Sequence, residues 1–119
     1  MKLYSLLTVD FDFKDDRGKL TQLFHSGYSQ VNVLETKKGV IRGGHFHKNT
    51  IEVFYIVRGK IKVKFSTNNE IEYATFSDGD YFQVFTNVVH EMEFLDNTIM
   101  IAAYDKPIED ILGTKDIYK

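Results

Sequence analysis

A chain of 119 residues with 43% hydrophobic and 27% charged content has the makeup of one folded domain and excludes a disordered polymer. Its formal charge of −2 provides no pull toward nucleic acid or an anionic membrane. It has no cysteine, which excludes disulfides, thiolate metal sites and cysteine nucleophiles. The opening Met1-Lys2-Leu3-Tyr4-Ser5-Leu6-Leu7 is too short, and too soon followed by Asp10 and Asp12, for a signal peptide or membrane span. A cytoplasmic protein is therefore expected.

In chain order, strands are expected over 3–8, 19–25, 31–36, 40–47 and 52–58, with Asp15-Asp16-Arg17-Gly18 and Arg58-Gly59-Lys60 as turns. Ile61, Val63 and Phe65 alternate with Lys60, Lys62 and Lys64, the pattern of a half-buried strand. The turn Ser66-Thr67-Asn68-Asn69 then leads into Ile71, Tyr73 and Thr75, so a hairpin is expected. Strands follow over 80–85, 88–94 and 98–104, and only Ile108 to Leu112, after Pro107, suits a short helix. Many short strands with frequent turns predict a closed or two-sheet antiparallel domain, 1–119, with a short C-terminal tail.

The densest chemistry lies in Gly39-Val40-Ile41-Arg42-Gly43-Gly44-His45-Phe46-His47-Lys48-Asn49-Thr50-Ile51-Glu52, closed by Gly59. A His-x-His pair on extended chain carries both rings on one face, because strand side chains alternate with period two. Glu52, after a short turn, can return beside His45 and His47 on the next strand, and His90 follows another strand-like run. Three imidazoles and a carboxylate form a donor set for zinc, manganese, iron or nickel, so a divalent transition metal is the expected cofactor, with no organic one. The plainer alternative makes the histidines hydrogen-bonded residues at a strand end and leaves Glu52 exposed. With Glu52 inward, Phe54 and Ile56 line the interior, while Val53, Tyr55 and Val57 give the strand a second apolar face. A strand apolar on both sides is buried on both, which points to a homodimer.

The spacing from Gly39 through His45-x-His47 and Glu52 to Gly59 resembles the first signature motif of the cupin superfamily at every fixed position. The second motif is met in part: Gly79 and His90 stand at the expected separation, whereas Phe85, Asn87 and Phe94 replace the usual Pro, Gly and Asn. This resemblance implies a cupin-type double-stranded β-helix, the jelly-roll barrel.

Two further segments narrow the resemblance. Arg42-Gly43-Gly44-His45 is similar to the Arg-Gly-x-His of dTDP-4-dehydrorhamnose 3,5-epimerases, and Asp15-Asp16-Arg17-Gly18 to an entry motif shared with sugar-nucleotide 3,4-ketoisomerases. What it implies is a nucleotide-sugar ligand, with Arg17 and Arg42 on the pyrophosphate and Gln22 near the nucleotide. Arginine suits that role because its guanidinium is a rigid fork of donors. The resemblance also assigns proton transfer beside a sugar carbonyl to His45 and His47, assisted by Arg42. Strict alternation would set Arg42 and His45 on opposite faces, so a bulge at Gly43-Gly44 is expected.

The ketoisomerases generally carry Gln where this chain has Glu52, and work without metal; Glu52 departs from them toward the metal-binding cupins. Their catalytic tyrosine has no counterpart in Val31-Asn32-Val33-Leu34-Glu35, which leaves Tyr81 or Tyr104 to supply a phenol. The expected function is a sugar-nucleotide isomerase or epimerase in cell-surface polysaccharide synthesis, acting on a nucleotide-linked 4-keto-6-deoxy sugar. The alternatives are a metal-dependent cupin of other chemistry, a small-molecule isomerase or dioxygenase, and a non-catalytic metal- or ligand-binding cupin.

Overall fold

The computed structural model describes residues 2–119, and every regular element among them is a strand. In chain order these are β1 (Tyr4–Leu6), β2 (Phe11–Asp15), β3 (Gly18–Gln22), β4 (Gln30–Thr36), β5 (Ile41–His45), β6 (Glu52–Arg58), β7 (Lys60–Ser66), β8 (Ile71–Ser77), β9 (Tyr81–Val84), β10 (Val89–Phe94) and β11 (Thr98–Tyr104). All pairings are antiparallel. A five-stranded sheet runs β1-β9-β6-β11-β4, a four-stranded one β5-β10-β7-β8, and β2 and β3 form a separate hairpin.

The core fills the space between the two larger sheets. Phe54, Ile56, Phe82, Met100 and Ala102 from the first meet Ile61, Val63, Phe65, Phe76, Met92 and Phe94 from the second. Alternation explains the choice: Lys60, Lys62 and Lys64 leave Ile61, Val63 and Phe65 as the inward set of β7, and all three are fully buried. Phe76 and Phe82 stack across the interior at a centroid separation of 3.9 Å.

A second, smaller cluster covers the outer face of the five-stranded sheet. Val53, Tyr81 and Ala103 lie under Leu7, Val9, Leu23, Phe24 and Tyr28, supplied by segments flanking the hairpin. The two-sided apolarity of β6 is thus met largely within the chain, and only Val57 is left exposed.

Two expectations are corrected. Residues 108–112 form no helix; Asp110 organises a turn there, accepting hydrogen bonds from the N–H groups of Leu112 and Thr114, and a bridge joins Glu109 to Lys115. The stretch expected as one strand over 19–25 ends at Gln22, because its partner β2 closes a hairpin around Asp16 and Arg17. The chain breaks away after Gln22 to lay Leu23 and Phe24 on the second cluster.

Candidate active site

The site lies at one end of the sandwich and draws on both sheets. β5 ends on His45, which stands opposite His90 on β10. One step further the register slips, so that Glu91 faces Gly43 and Gly44 becomes the extra residue of a bulge. Both glycines have positive φ, 95° and 78°, and a Cβ on Gly43 would sit 2.6 Å from the His90 carbonyl oxygen. The bulge sets Arg42 opposite Met92, and Arg42 and His45 line the same cavity.

His47 follows β5, and its carbonyl accepts the Asn87 N–H at 2.7 Å. Asn87 is the one non-glycine residue with positive φ among those described, 65°, at the position where the cupin motif usually has Gly. Asparagine tolerates that conformation better than other side chains. Glu52 opens β6 on the opposite sheet, between Tyr104 and Val84. One donor atom from each of His45, His47, Glu52 and His90 lies within 4.8 Å of all the others.

The four differ in depth. His47, Glu52 and His90 are buried, whereas His45 is half-buried. Glu52 Oε1 lies 3.0 Å from His47 Nε2 and 3.3 Å from His90 Nε2, and no ion-pairing contact joins it to His45. His47 Nδ1 donates to the Asp116 carbonyl at 2.6 Å. A carbonyl only accepts, so Nδ1 carries the hydrogen and the neutral ring turns the Nε2 lone pair toward a carboxylate. Such an arrangement calls for a proton or a cation between them. His90 Nδ1, moreover, is buried with no hydrogen-bond partner among the described residues. An anionic oxygen facing the Nε2 atoms of two buried imidazoles, one of them with its outer nitrogen tied to a carbonyl, fits a divalent metal ion.

Electrostatics separates the group further. Burial pushes the Glu52 carboxyl up, but hydrogen bonding and charge from His47 and His90 overcome this and hold it at about 2. Burial lowers the His47 imidazole, and contacts to the Glu52 carboxylate and the Asp116 carbonyl reverse this to a net rise. His45 has no such partner; burial, then its neighbours His90 and His47, bring it down to about 4. The Tyr104 phenol is raised by burial and by the Glu52 charge, and stays protonated.

Arg42, His45, Glu52, Phe54, His90 and Tyr104 line a cavity of about 170 Å³. Arg42 Nε donates to Thr36 Oγ1 at 2.9 Å, and no carboxylate pairs with the guanidinium among the described residues. Arg17 is not brought to this cavity: it sits on the β2–β3 turn, its side chain 85% exposed, bonded to Asp15. Gln22 donates to Asp10, which also contacts His25, elsewhere on the surface. Tyr81 lies in the second apolar cluster against Tyr55, so of the two tyrosines weighed only Tyr104 lines the cavity. Asp116 was not singled out by the sequence, because a backbone acceptor from a distant tail leaves no spacing signal.

The profile of the polysaccharide biosynthesis C-terminal domain family matches residues 13–104. No curated protein matches the chain. Among solved structures, the sugar 3,4-ketoisomerase QdtA of Thermoanaerobacterium thermosaccharolyticum, in complex with TDP, is similar at TM-score 0.78 and 19% identity, over 93% of this chain and 85% of that one. The TDP-quinovose 3,4-ketoisomerase WlaRB of Campylobacter jejuni is similar at TM-score 0.80 and 18% identity, covering 98% and 94%. The capsular polysaccharide assembling protein CapF of Staphylococcus aureus is 28% identical with a TM-score of 0.68; 95% of this chain corresponds to 32% of that longer one. The architecture is the cupin-type jelly roll that the motif implies.

Proposed function

We propose that this chain, which belongs to the polysaccharide biosynthesis C-terminal domain family, is a sugar-nucleotide isomerase or epimerase acting on a nucleotide-linked 4-keto-6-deoxy sugar. The observation that carries the reading is the buried His47–Glu52–His90 cluster, whose Glu52 and His90 line a cavity with a half-buried histidine, a phenol and an arginine that has no carboxylate partner among the described residues. A nucleotide-sugar ligand accords with QdtA, whose structure contains TDP.

The cavity of about 170 Å³ falls below the ordinary range of ligand pockets, so it takes the sugar ring and leaves the nucleotide outside. Arg42 would then offer its terminal nitrogens to the pyrophosphate. His47, Glu52 and His90 would hold a divalent metal ion. Such an ion supplies Lewis-acid polarisation of an oxygen of the substrate. His45, the shallowest donor and the one without a carboxylate contact, is the base in this reading. It takes the proton from the carbon beside the sugar carbonyl and leaves the bonding pair as an enolate. Returning the proton to the former carbonyl carbon, while the hydroxyl proton of the deprotonated carbon passes to the former carbonyl oxygen, gives the isomer; delivery of a proton to the opposite face of the deprotonated carbon by a second acid gives the epimer. Tyr104 Oη–H, kept protonated, donates a hydrogen bond to the developing oxyanion.

A second reading, a metal-dependent cupin of other chemistry, is favoured by the carboxylate at Glu52. The experiment follows dTDP-, UDP- and GDP-linked 4-keto-6-deoxy sugars by NMR in D2O, with metal content measured on the same protein. Deuterium should enter the sugar beside the carbonyl in at least one of them, with a metal ion bound to each chain. Metal without exchange on any sugar would transfer the site to the second reading.

A further inference from the structure

The connection between His47 and Glu52 is fastened from outside itself. The Asp116 carboxylate accepts the N–H groups of Lys48 and Asn49, both at 2.9 Å, and the hydroxyl of Thr50 at 2.7 Å. Its backbone carbonyl accepts His47 Nδ1–H. Asp105 accepts the Ile51 N–H at 2.9 Å, and Lys106 Nζ donates to the Asn49 carbonyl at 2.8 Å. Tyr118 exchanges two backbone hydrogen bonds with Phe46, and its ring lies under Lys48 Nζ. Every residue from Phe46 to Ile51 is therefore tied to the stretch 105–118, which lies beyond the region matched by the family profile.

We infer that Asp116 is a positioning residue of the active site, and that residues 105–118 form a strap fixing the His47–Glu52 connection. The physical basis is that a turn carrying ligands at both ends has little order of its own, and its backbone donors need acceptors. One aspartate carboxylate meets two of those donors and the Thr50 hydroxyl, and the same residue's carbonyl dictates which nitrogen of His47 bears hydrogen. His47 Nε2 is thereby the nitrogen left to face Glu52. Partners behind a ligating imidazole typically change metal affinity by about 10- to 100-fold when lost. This inference rests on the proposal that His47 holds a metal ion.

The test uses the full chain as wild type, Asp116→Ala and Asp116→Asn, with zinc alone as the probe in competition with a chromogenic chelator. The His47 ring is followed separately in metal-free protein by nitrogen-15 NMR, at a pH high enough for the ring to be neutral, which distinguishes the two neutral tautomers. Wild type should show the Nδ1–H tautomer. Asp116→Ala should lose about 10- to 100-fold in zinc affinity and mix the tautomers. Asp116→Asn, which keeps one acceptor oxygen for the turn, should recover part of both. A folded Asp116→Ala with wild-type tautomer and zinc affinity would overturn the inference. If Asp116→Ala does not fold, the comparison passes to Asp116→Asn and Lys106→Ala, and wild-type behaviour of both would overturn it equally. Should wild type bind no zinc, the metal reading fails on its own; a tautomer shift in the variants then upholds the strap, and an unchanged tautomer removes it.

Discussion

His45 and His47 are two residues apart yet titrate in opposite directions. Burial and the rings of His90 and His47 hold His45 at about 4, while Glu52 and the Asp116 carbonyl raise His47. The difference becomes a pH dependence of stability in protein stripped of metal. An unfolded histidine binds its proton near 6.5 and folded His45 only near 4, so stability is lost as pH falls across that window. Glu52, lowered from 4.5 to about 2, adds a loss further down, as its carboxylate is protonated. His47 acts with the other sign: its contribution is complete below 6.5 and fades as pH rises through its folded value. Urea midpoints of chelator-treated protein should therefore peak near pH 6.5, and His45→Gln should remove the decline between 6.5 and 4 while sparing the one below it. The same variant tests the assignment of the base: turnover should drop by about 100- to 10,000-fold with metal content kept. Loss of metal along with activity would instead make His45 a ligand. The placement of these side chains was legible because parity and spacing are local properties. Asp116 was not, since its role depends on a carbonyl 69 residues away in sequence from His47.

At the level of elements, the sharpest structural demand is the bulge in β5. Its two glycines were readable as a bulge because Arg42 and His45 could not otherwise share a face. The register slip beside His90 is the form it takes. Gly43→Ala would combine a positive φ with a Cβ 2.6 Å from the His90 carbonyl oxygen. Relief requires β10 to move, and His90 with it. We expect a destabilisation of about 2 kcal/mol or more in urea unfolding, accompanied by weaker metal uptake. Gly59 is constrained in the same way, since a Cβ there would lie 2.7 Å from Thr98 Cα. Its alanine variant should be as unstable but keep its metal, because Thr98 is at the far end of β11 from Tyr104. Equal metal loss in both variants would show global unfolding, not displacement of His90. Strand β2 was harder to read: Phe11, Phe13 and their neighbours are largely exposed, so no buried face disciplines the pattern there.

For the molecule as a whole, the question is what covers the apolar surface that remains outside both clusters. The second apolar face of β6, from which a homodimer is expected, is occupied by Leu7, Val9, Leu23 and Phe24 of the same chain. Other surface is left over. On the hairpin, Phe13 and Leu20 pair across the strands and are 54% and 55% exposed, with Phe11 beside them at 47%. On β4, at the edge of the five-stranded sheet, Val31 and Val33 are 54% and 68% exposed. The hairpin makes its extensive strand contacts only within itself, and an isolated two-stranded hairpin is marginal in water. We propose a second copy as the occupant: the hairpin of each would cover the β4 face of the other in a two-fold arrangement. Each 100 Å² of apolar area so removed from water stabilises by about 2.5 kcal/mol, and a stable interface of this kind buries about 1,600 Å² in total. Light scattering at micromolar concentration should give twice the chain mass for wild type, and Phe13→Glu with Leu20→Lys should give the monomer. Because none of these residues lines the cavity, the monomeric variant should keep its metal. A wild type that is already monomeric would leave the hairpin without a partner and remove the dimer.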